Sequence, residues 1–352
     1  MTCRIIDSSD GPTSCVAVRE VHGEENERMP APLFISEADC RRVLGVADVI
    51  GAIEDTLLAD AEGGVRWSEP RTMKMADRLS NHYHLKACVL EVASKTGGSA
   101  AVAGVRLVAH QSDESTGSAT RWIVLIDPAT ALPLAIVDET WNYAQRTVAA
   151  TAVVARKLAA PTGAAGHTLG LVGAGRLAAA ALTYYRHLFD LKDVRIASRR
   201  EATRGALARQ ARDEMGLRAA AVASVREAVE GADLVLTCTS AGQSLLSADW
   251  IGPGAVVASL ETAEPGPDLF RAADLVVVDS REQLKPELES CYGQDASGRV
   301  AATFSEVLAG KHPGRTSPGQ RVLIISQGLA SLDVAVAFRA YQRCRESGRV
   351  GL

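Results

Sequence analysis

The chain reads as an α/β protein in which a doubly wound parallel sheet follows a smaller α+β domain, and three observations predict this. Beyond residue 163, short apolar runs alternate with helical stretches, the pattern that parallel strands impose because each crossover needs a helix. Residues 84–137 instead hold four strand-like runs in succession. Between the two parts lies one long Ala-rich helix, 139–159, stopped by Pro161-Thr162-Gly163. At 352 residues, with 47% hydrophobic and 23% charged side chains, the chain has material for two buried cores.

Taken in order, the first thirty residues lack sustained periodicity and form a lead-in. Ser36 opens S-E-A-D, a capping signature ahead of an amphipathic stretch that breaks near Gly45. Runs at 84–91, 101–108, 122–126 and 134–137 are strands, with a turn at Asp127-Pro128. After the junction come strands at 168–172, 194–198, 218–223, 233–237, 254–260 and 274–279. Helices are expected at 176–188, 201–214 and 224–230. A final strand, 322–326, leads into a helix over 329–344 that belongs outside the parallel sheet.

Several function classes are excluded early. A net charge of −4 gives no overall attraction to nucleic acid or anionic membrane, so the expected partner is a small molecule. Seven scattered cysteines without a C-x-x-C pair indicate neither a disulfide framework nor a metal site. No apolar run approaches the length of a membrane span, and a cytoplasmic location is expected.

The strongest chemical signal is TLGLVGAGRLA, residues 168–178, a G-x-G-x-x-A loop between a strand and a helix. Gly173 permits the sharp turn, Gly175 lets backbone approach a pyrophosphate, and Ala178 lets the helix pack closely. Ala174, Arg176 and Leu177 complete the loop, and the pyrophosphate sits on the helix N-terminus, in a Rossmann-type dinucleotide site. The next strand ends in Ser198-Arg199-Arg200 rather than the carboxylate that would hold a ribose 2′-OH. NADP(H) is therefore preferred, with NAD(H) as the alternative.

Together these segments make the chain similar to the ornithine cyclodeaminase/mu-crystallin family. FISEADCRRVLGVADVIGAIEDTL resembles the family's opening helices, and IDPATALPLAIVDETWNYAQRTVAATAVVARKLA resembles its strand pair and R-T-A-A helix. GLVGAGRLA, SEVLAGKHPGR and ISQGLASLDVAVAFRAY resemble its cofactor loop, its G-x-V-x-x-G-x-x-P-G-R segment and its closing S-x-G-x-A-x-x-D helix. The resemblance implies a substrate-binding and dimerisation domain, 1–145 with 326–352, completed by the C-terminal helix, and a Rossmann-type domain over 146–325. It implies a homodimer and hydride transfer at the α-carbon of an amino or imino acid. Imine reduction or oxidation of an N-substituted amino acid leads. The alternatives are N-(2-amino-2-carboxyethyl)-glutamate dehydrogenation, ornithine or lysine cyclodeamination, and a non-catalytic cofactor-binding protein.

The same resemblance places Arg146 and Thr147 against the nicotinamide, Arg71 on the substrate carboxylate, and Ser326 near the nicotinamide amide. Thr237 and Thr239 end a strand where it meets the cofactor. Two positions depart from the family. Arg106 stands where the family has a lysine, and arginine does not exchange a proton at neutral pH. Ala263 stands where cyclodeaminases carry an aspartate, with Glu261 and Glu264 nearby, which disfavours cyclodeamination. His82 and His84, two apart on one strand face, are then the proton-transfer candidates, followed by Lys86 and Glu69.

Overall fold

The computed structural model describes residues 31–77, 81–93, 99–110 and 119–348; the expected lead-in, with Cys3 and Cys15, lies outside them. Strand β1 (Leu33–Ile35) runs into helices α1 (Glu37–Val43) and α2 (Val46–Ala61). The Ser36 signature forms as its spacing predicts. The Ser36 hydroxyl accepts the Asp39 N–H, and the Asp39 carboxylate accepts the Ser36 N–H. Extended Gly45 separates the two helices, its N–H donating to Asp48 at 3.0 Å.

Next come β2 (Val65–Trp67), β3 (Met73–Ala76), β4 (His82–Ala93), β5 (Ser99–His110), β6 (Ala119–Ile126) and β7 (Pro133–Asp138). With β1 they form one sheet, ordered β1-β7-β6-β5-β4-β2 with β3 also on β4. The β1–β7 pair is parallel and the other pairs are antiparallel. β4 and β5 are each twelve residues long, longer than their apolar runs, because ladder pairing carries them on through His82, His84 and His110. The pleat sorts their side chains onto two faces. Lys86, Cys88, Arg106, Val108, Arg121 and Ile123 share the inner face. Leu85, Val105, Leu107, Trp122 and Val124 share the outer one, apolar yet only half-buried.

Helix α3 (Thr140–Leu158), buried along most of its length, joins this sheet to the second. There follow β8 (His167–Val172), α4 (Arg176–Leu188), β9 (Leu191–Ala197), α5 (Glu201–Asp213), β10 (Ala219–Ala221), α6 (Val225–Val229), β11 (Leu234–Thr237) and β12 (Val256–Ser259). Then come α7 (Pro267–Ala272), β13 (Leu275–Val278), α8 (Arg281–Tyr292), β14 (Val300–Thr303), α9 (Phe304–Leu308), β15 (Val322–Ile325) and α10 (Ala330–Glu346). The eight strands are all parallel, in the order β10-β9-β8-β11-β12-β15-β13-β14. Those near the centre are buried on both faces, as helices on each side require.

Sequence periodicity does not mark α7, α8, β14 or α9. Helix α8 is polar and carries Pro286, and β14 and α9 are short. The last strand inserts between β12 and β13, and the chain then leaves the parallel sheet through Ser326-Gln327-Gly328. Helix α10 crosses the inner face of the first sheet, over β4, β5 and β6, and packs on α2. Gly104 on β5 makes that approach possible, since a Cβ there would collide with Val334. Among the described residues no helix is long and apolar enough to cross a membrane.

Candidate active site

The parallel sheet changes winding direction between β8 and β11, the crevice in which open α/β sheets take ligands. The glycine loop lies there. Gly173 has φ +120°, and a Cβ on it would sit 2.8 Å from the Cys238 carbonyl, so only glycine fits. Gly175 caps α4, and a Cβ there would meet nothing within 4 Å, which leaves open space over the helix start. Ala174 and Leu177 are half-buried, Arg176 is exposed, and Ala178 packs fully against the sheet. Among the described residues no side chain caps the first N–H groups of α4, which suits them to an anion. This cradle fits a dinucleotide diphosphate.

At the end of β9, Ser198 donates to the Arg200 carbonyl at 3.1 Å, and its own carbonyl accepts from Arg204 at 3.0 Å. Arg199 and Arg200 are exposed. On the other side of the crevice, the Thr237 and Ser259 hydroxyls bond at 2.8 Å, and Thr239 donates to the buried carboxyl of Glu264. Burial raises the proton affinity of Glu264, and among the described residues its Oε2 has no hydrogen-bond partner. This carboxyl beside Ala263 is thus tied to the end of β11.

The basic side chains of the inner face gather under α10. Asp333, on the first turn of α10, is fully buried between two guanidiniums: the Arg146 Nε donates to its Oδ1, and the Arg106 Nε lies 3.4 Å from its Oδ2. The Arg106 Nε also donates to both oxygens of Glu139, at 2.7 and 2.9 Å. Only the Nε edges are tied. Among the described residues the Nη atoms of both arginines carry no hydrogen bond. The Tyr143 ring lies among three guanidiniums, those of Arg121, Arg146 and Arg106, at 4.6, 5.2 and 5.9 Å. The Thr147 hydroxyl is turned into α3, donating to the Tyr143 carbonyl at 2.6 Å.

Gly328 closes the cluster, with φ +87° and no room for a Cβ beside the Arg146 guanidinium. Asp279 Oδ2 holds the turn before it, accepting the Ser326 hydroxyl at 2.8 Å and the N–H groups of Gln327 and Gly328 at 2.8 and 2.6 Å. The Gly328 carbonyl accepts from Lys86 Nζ at 3.4 Å and from Gln283 at 3.2 Å.

Burial alone would raise the proton affinity of Asp333, but the charges of Arg106 and Arg146 outweigh it and hold the carboxyl below its ordinary value. Burial, and then the Asp333 charge, push Glu139 well above its own, against the Arg106 guanidinium. Burial lowers Lys86, with Asp333 resisting and Arg146 and Arg106 adding to the fall. The arrangement is a pair of fixed guanidinium edges beside a half-buried amine. It can grip a carboxylate and exchange a proton next to it.

The remaining candidates lie at the border of this cluster or outside it. Arg71 lies over the Trp67 ring at 4.9 Å and pairs with Glu282 at 2.7 Å, on a cavity of about 220 Å³ shared with Asp279 and Leu329. His82 is exposed. His84 packs its ring 5.6 Å from that of His110, and burial lowers its proton affinity. Sequence reasoning passed over Glu139, Tyr143, Arg121 and Asp279. Asp333 and Gly328 do lie inside the closing S-x-G-x-A-x-x-D motif, which was the available signal. Among the described residues no group of three or more His, Cys, Asp or Glu could hold a metal ion.

The chain is 24% identical over 277 residues to the N-((2S)-2-amino-2-carboxyethyl)-L-glutamate dehydrogenase of Staphylococcus aureus, covering 75% of this chain and 81% of that protein. It is 25% identical over 316 residues to the ketimine reductase mu-crystallin of Macropus fuliginosus, covering 88% and 97%. Among solved structures, the Thermococcus litoralis Delta(1)-pyrroline-2-carboxylate reductase in complex with NADH and L-proline superposes with a TM-score of 0.78 at 23% identity, covering 90% of this chain and 98% of that one. Residues 32–348 match the model of the ornithine cyclodeaminase/mu-crystallin family, and the chain belongs to that family.

Proposed function

We propose that the protein is an NAD(P)-dependent oxidoreductase of amino-acid CH–NH groups, and that it reduces the C=N bond of an imino acid with NADPH, hydride going to the α-carbon. One observation carries this reading: the free Nη edges of Arg106 and Arg146, anchored from behind by Glu139 and Asp333, beside the dinucleotide crevice. Two such edges suit a carboxylate, which takes parallel N–H donors. The relatives named as ketimine reductase and amino-acid dehydrogenase act at this kind of bond.

Gly173, Gly175 and the start of α4 would hold the cofactor diphosphate, and Ser198, Arg199 and Arg200 a 2′-phosphate. When bound, the cofactor supplies the hydride. The protein's own side chains fix the substrate carboxylate, exclude water under α10 and hold Lys86 close to the bond that changes. The dinucleotide part is 146–325 and the substrate part is the first sheet with α10. The half-buried apolar outer face of that sheet suits a second copy of the chain, giving a homodimer.

Purified protein should consume NADPH with a cyclic imino acid, or with a 2-oxo acid plus amine, in a nicotinamide absorbance assay. No consumption with NADPH or NADH across such a panel refutes the reading. A second reading, oxidation of an amino acid whose nitrogen carries a further carboxylate-bearing arm, is favoured by Arg121. Its guanidinium stands one strand beyond Arg106, with Nε buried and, among the described residues, without a hydrogen-bond partner.

A further inference from the structure

We infer that Lys86 is the catalytic residue that exchanges the proton with the substrate nitrogen. The inference rests on the reading above and deepens it. It begins with register: on the antiparallel ladder Lys86 stands directly opposite Arg106, and the pleat sends both to the face covered by α10. The carboxylate-gripping guanidinium and the amine are therefore cross-strand neighbours on one face, placed to meet the carboxylate and the nitrogen of one head group. An arginine at either place could grip but could not hand over a proton.

The surroundings of Lys86 are those of a working amine rather than of a surface charge. Its Nζ donates to the Gly328 carbonyl at 3.4 Å, which leaves its other N–H positions uncommitted among the described residues. The charged groups that face it come from four directions: Arg106 on β5, Arg146 on α3, Asp333 on α10 and Asp279 ahead of α8. His84, two residues along β4, is turned to His110 instead.

The step balances without a further reactant. In reduction, hydride from the cofactor forms the new C–H bond at the α-carbon, and the π pair of C=N moves to nitrogen. Nitrogen takes a proton from the Lys86 ammonium, and the resulting neutral amine is reprotonated by water. In oxidation the neutral amine of Lys86 accepts the nitrogen's proton as hydride leaves. The sign of the pH dependence follows. Reduction needs protonated Lys86 and falls as pH rises through its value, lowered from that of an ordinary lysine; oxidation rises over the same range.

The test uses the full-length protein and two variants, Lys86→Arg and Lys86→Met. Both should fold and bind NADPH, measured by circular dichroism and fluorescence titration. Both should lose about 10²- to 10⁴-fold in the rate of imine reduction, the usual contribution of a general acid. In both, the alkaline limb of the pH profile should disappear. The independent readout is acetylation of Lys86 by acetic anhydride as a function of pH, followed by mass spectrometry. Picolinate, with a ring nitrogen beside its carboxylate, should protect Lys86 specifically.

Lys86→Arg within tenfold of wild type, or retaining the alkaline limb, overturns the inference while imine reduction by wild type stands. Lys86 that acetylates like an ordinary surface lysine and is unprotected by picolinate overturns it too, whether or not the wild type consumes NADPH. Wild type inactive on every imine, but with Lys86 protected by picolinate, refutes imine reduction and supports the placement of Lys86 at the substrate nitrogen.

Discussion

Replacing Glu139 with alanine removes one side of a buried ion pair, and the structure sets the size of the effect. The Glu139 side chain is 0% exposed and that of Arg106 8%, with the Arg106 Nε at 2.7 and 2.9 Å from the two carboxylate oxygens. Losing one partner of such a pair costs about 3–5 kcal/mol, because the other charge stays behind in a low-dielectric site. Two features place the cost at the low end: Asp333 remains 3.4 Å from the same Nε, and the raised proton affinity of Glu139 offsets part of the pairing energy.

We expect about 3 kcal/mol on this basis. Unfolding entropy of about 2.1 cal/mol/K per residue over 352 residues then converts this to a melting shift of about 4 °C. The assay is thermal and urea unfolding of wild type, Glu139→Ala, Arg106→Met and Arg106→Met/Glu139→Leu. The double variant, with neither charge left behind, should lie within about 1 kcal/mol of wild type, giving a coupling of 2 kcal/mol or more. A Glu139→Ala shift below about 1 kcal/mol, or additive single effects, would mean that Arg106 is held by something other than this pair.

Arg199→Ala/Arg200→Ala should weaken NADPH about 10- to 100-fold by calorimetry and leave NADH nearly unchanged, as expected from charge-assisted bonds to a 2′-phosphate. Gly173→Ala should abolish binding of both dinucleotides, because its Cβ would face the Cys238 carbonyl at 2.8 Å with a backbone that cannot yield; retained fluorescence enhancement by NADPH would contradict this. On the outer face of the first sheet, Leu107→Asp with Val124→Glu should turn a dimer into a monomer in light scattering, with secondary structure intact. An unchanged mass would remove that face as the interface.

The parallel sheet was legible because its signals are local. Most of its strands are short apolar runs and most crossovers carry their own helix, β14 being unmarked and the β11-to-β12 connection lacking a helix, and helix 176–188 agrees with the structure to the residue. The glycine loop was legible for the same reason, since Gly173 and Gly175 answer steric demands of their own turn. The basic cluster is another matter. Glu139, Arg106 and Asp333 are separated by 33 residues or more along the chain; Glu139 reaches Arg106 from the start of α3, and Asp333 joins them only because α10 returns across β5. Nothing local distinguishes a buried Glu139 from any glutamate ahead of a helix. The histidines drew notice because imidazole titrates near neutrality, yet His82 faces solvent while Lys86, two turns of the pleat further in, reaches the cluster. Which charged residue on a strand is buried depends on what covers the strand, and that information lies more than two hundred residues away.

The return of α10 also fixes when the protein can first work. A nascent chain that has emerged only as far as β14 lacks both the strand that separates β12 from β13 and the carboxylate that sits between Arg106 and Arg146. Without that carboxylate, Lys86 on β4, Arg106 on β5 and Arg146 on α3 have Glu139 as their acidic neighbour. The last helix to leave the ribosome is thus the one that carries the carboxylate joining the two guanidiniums.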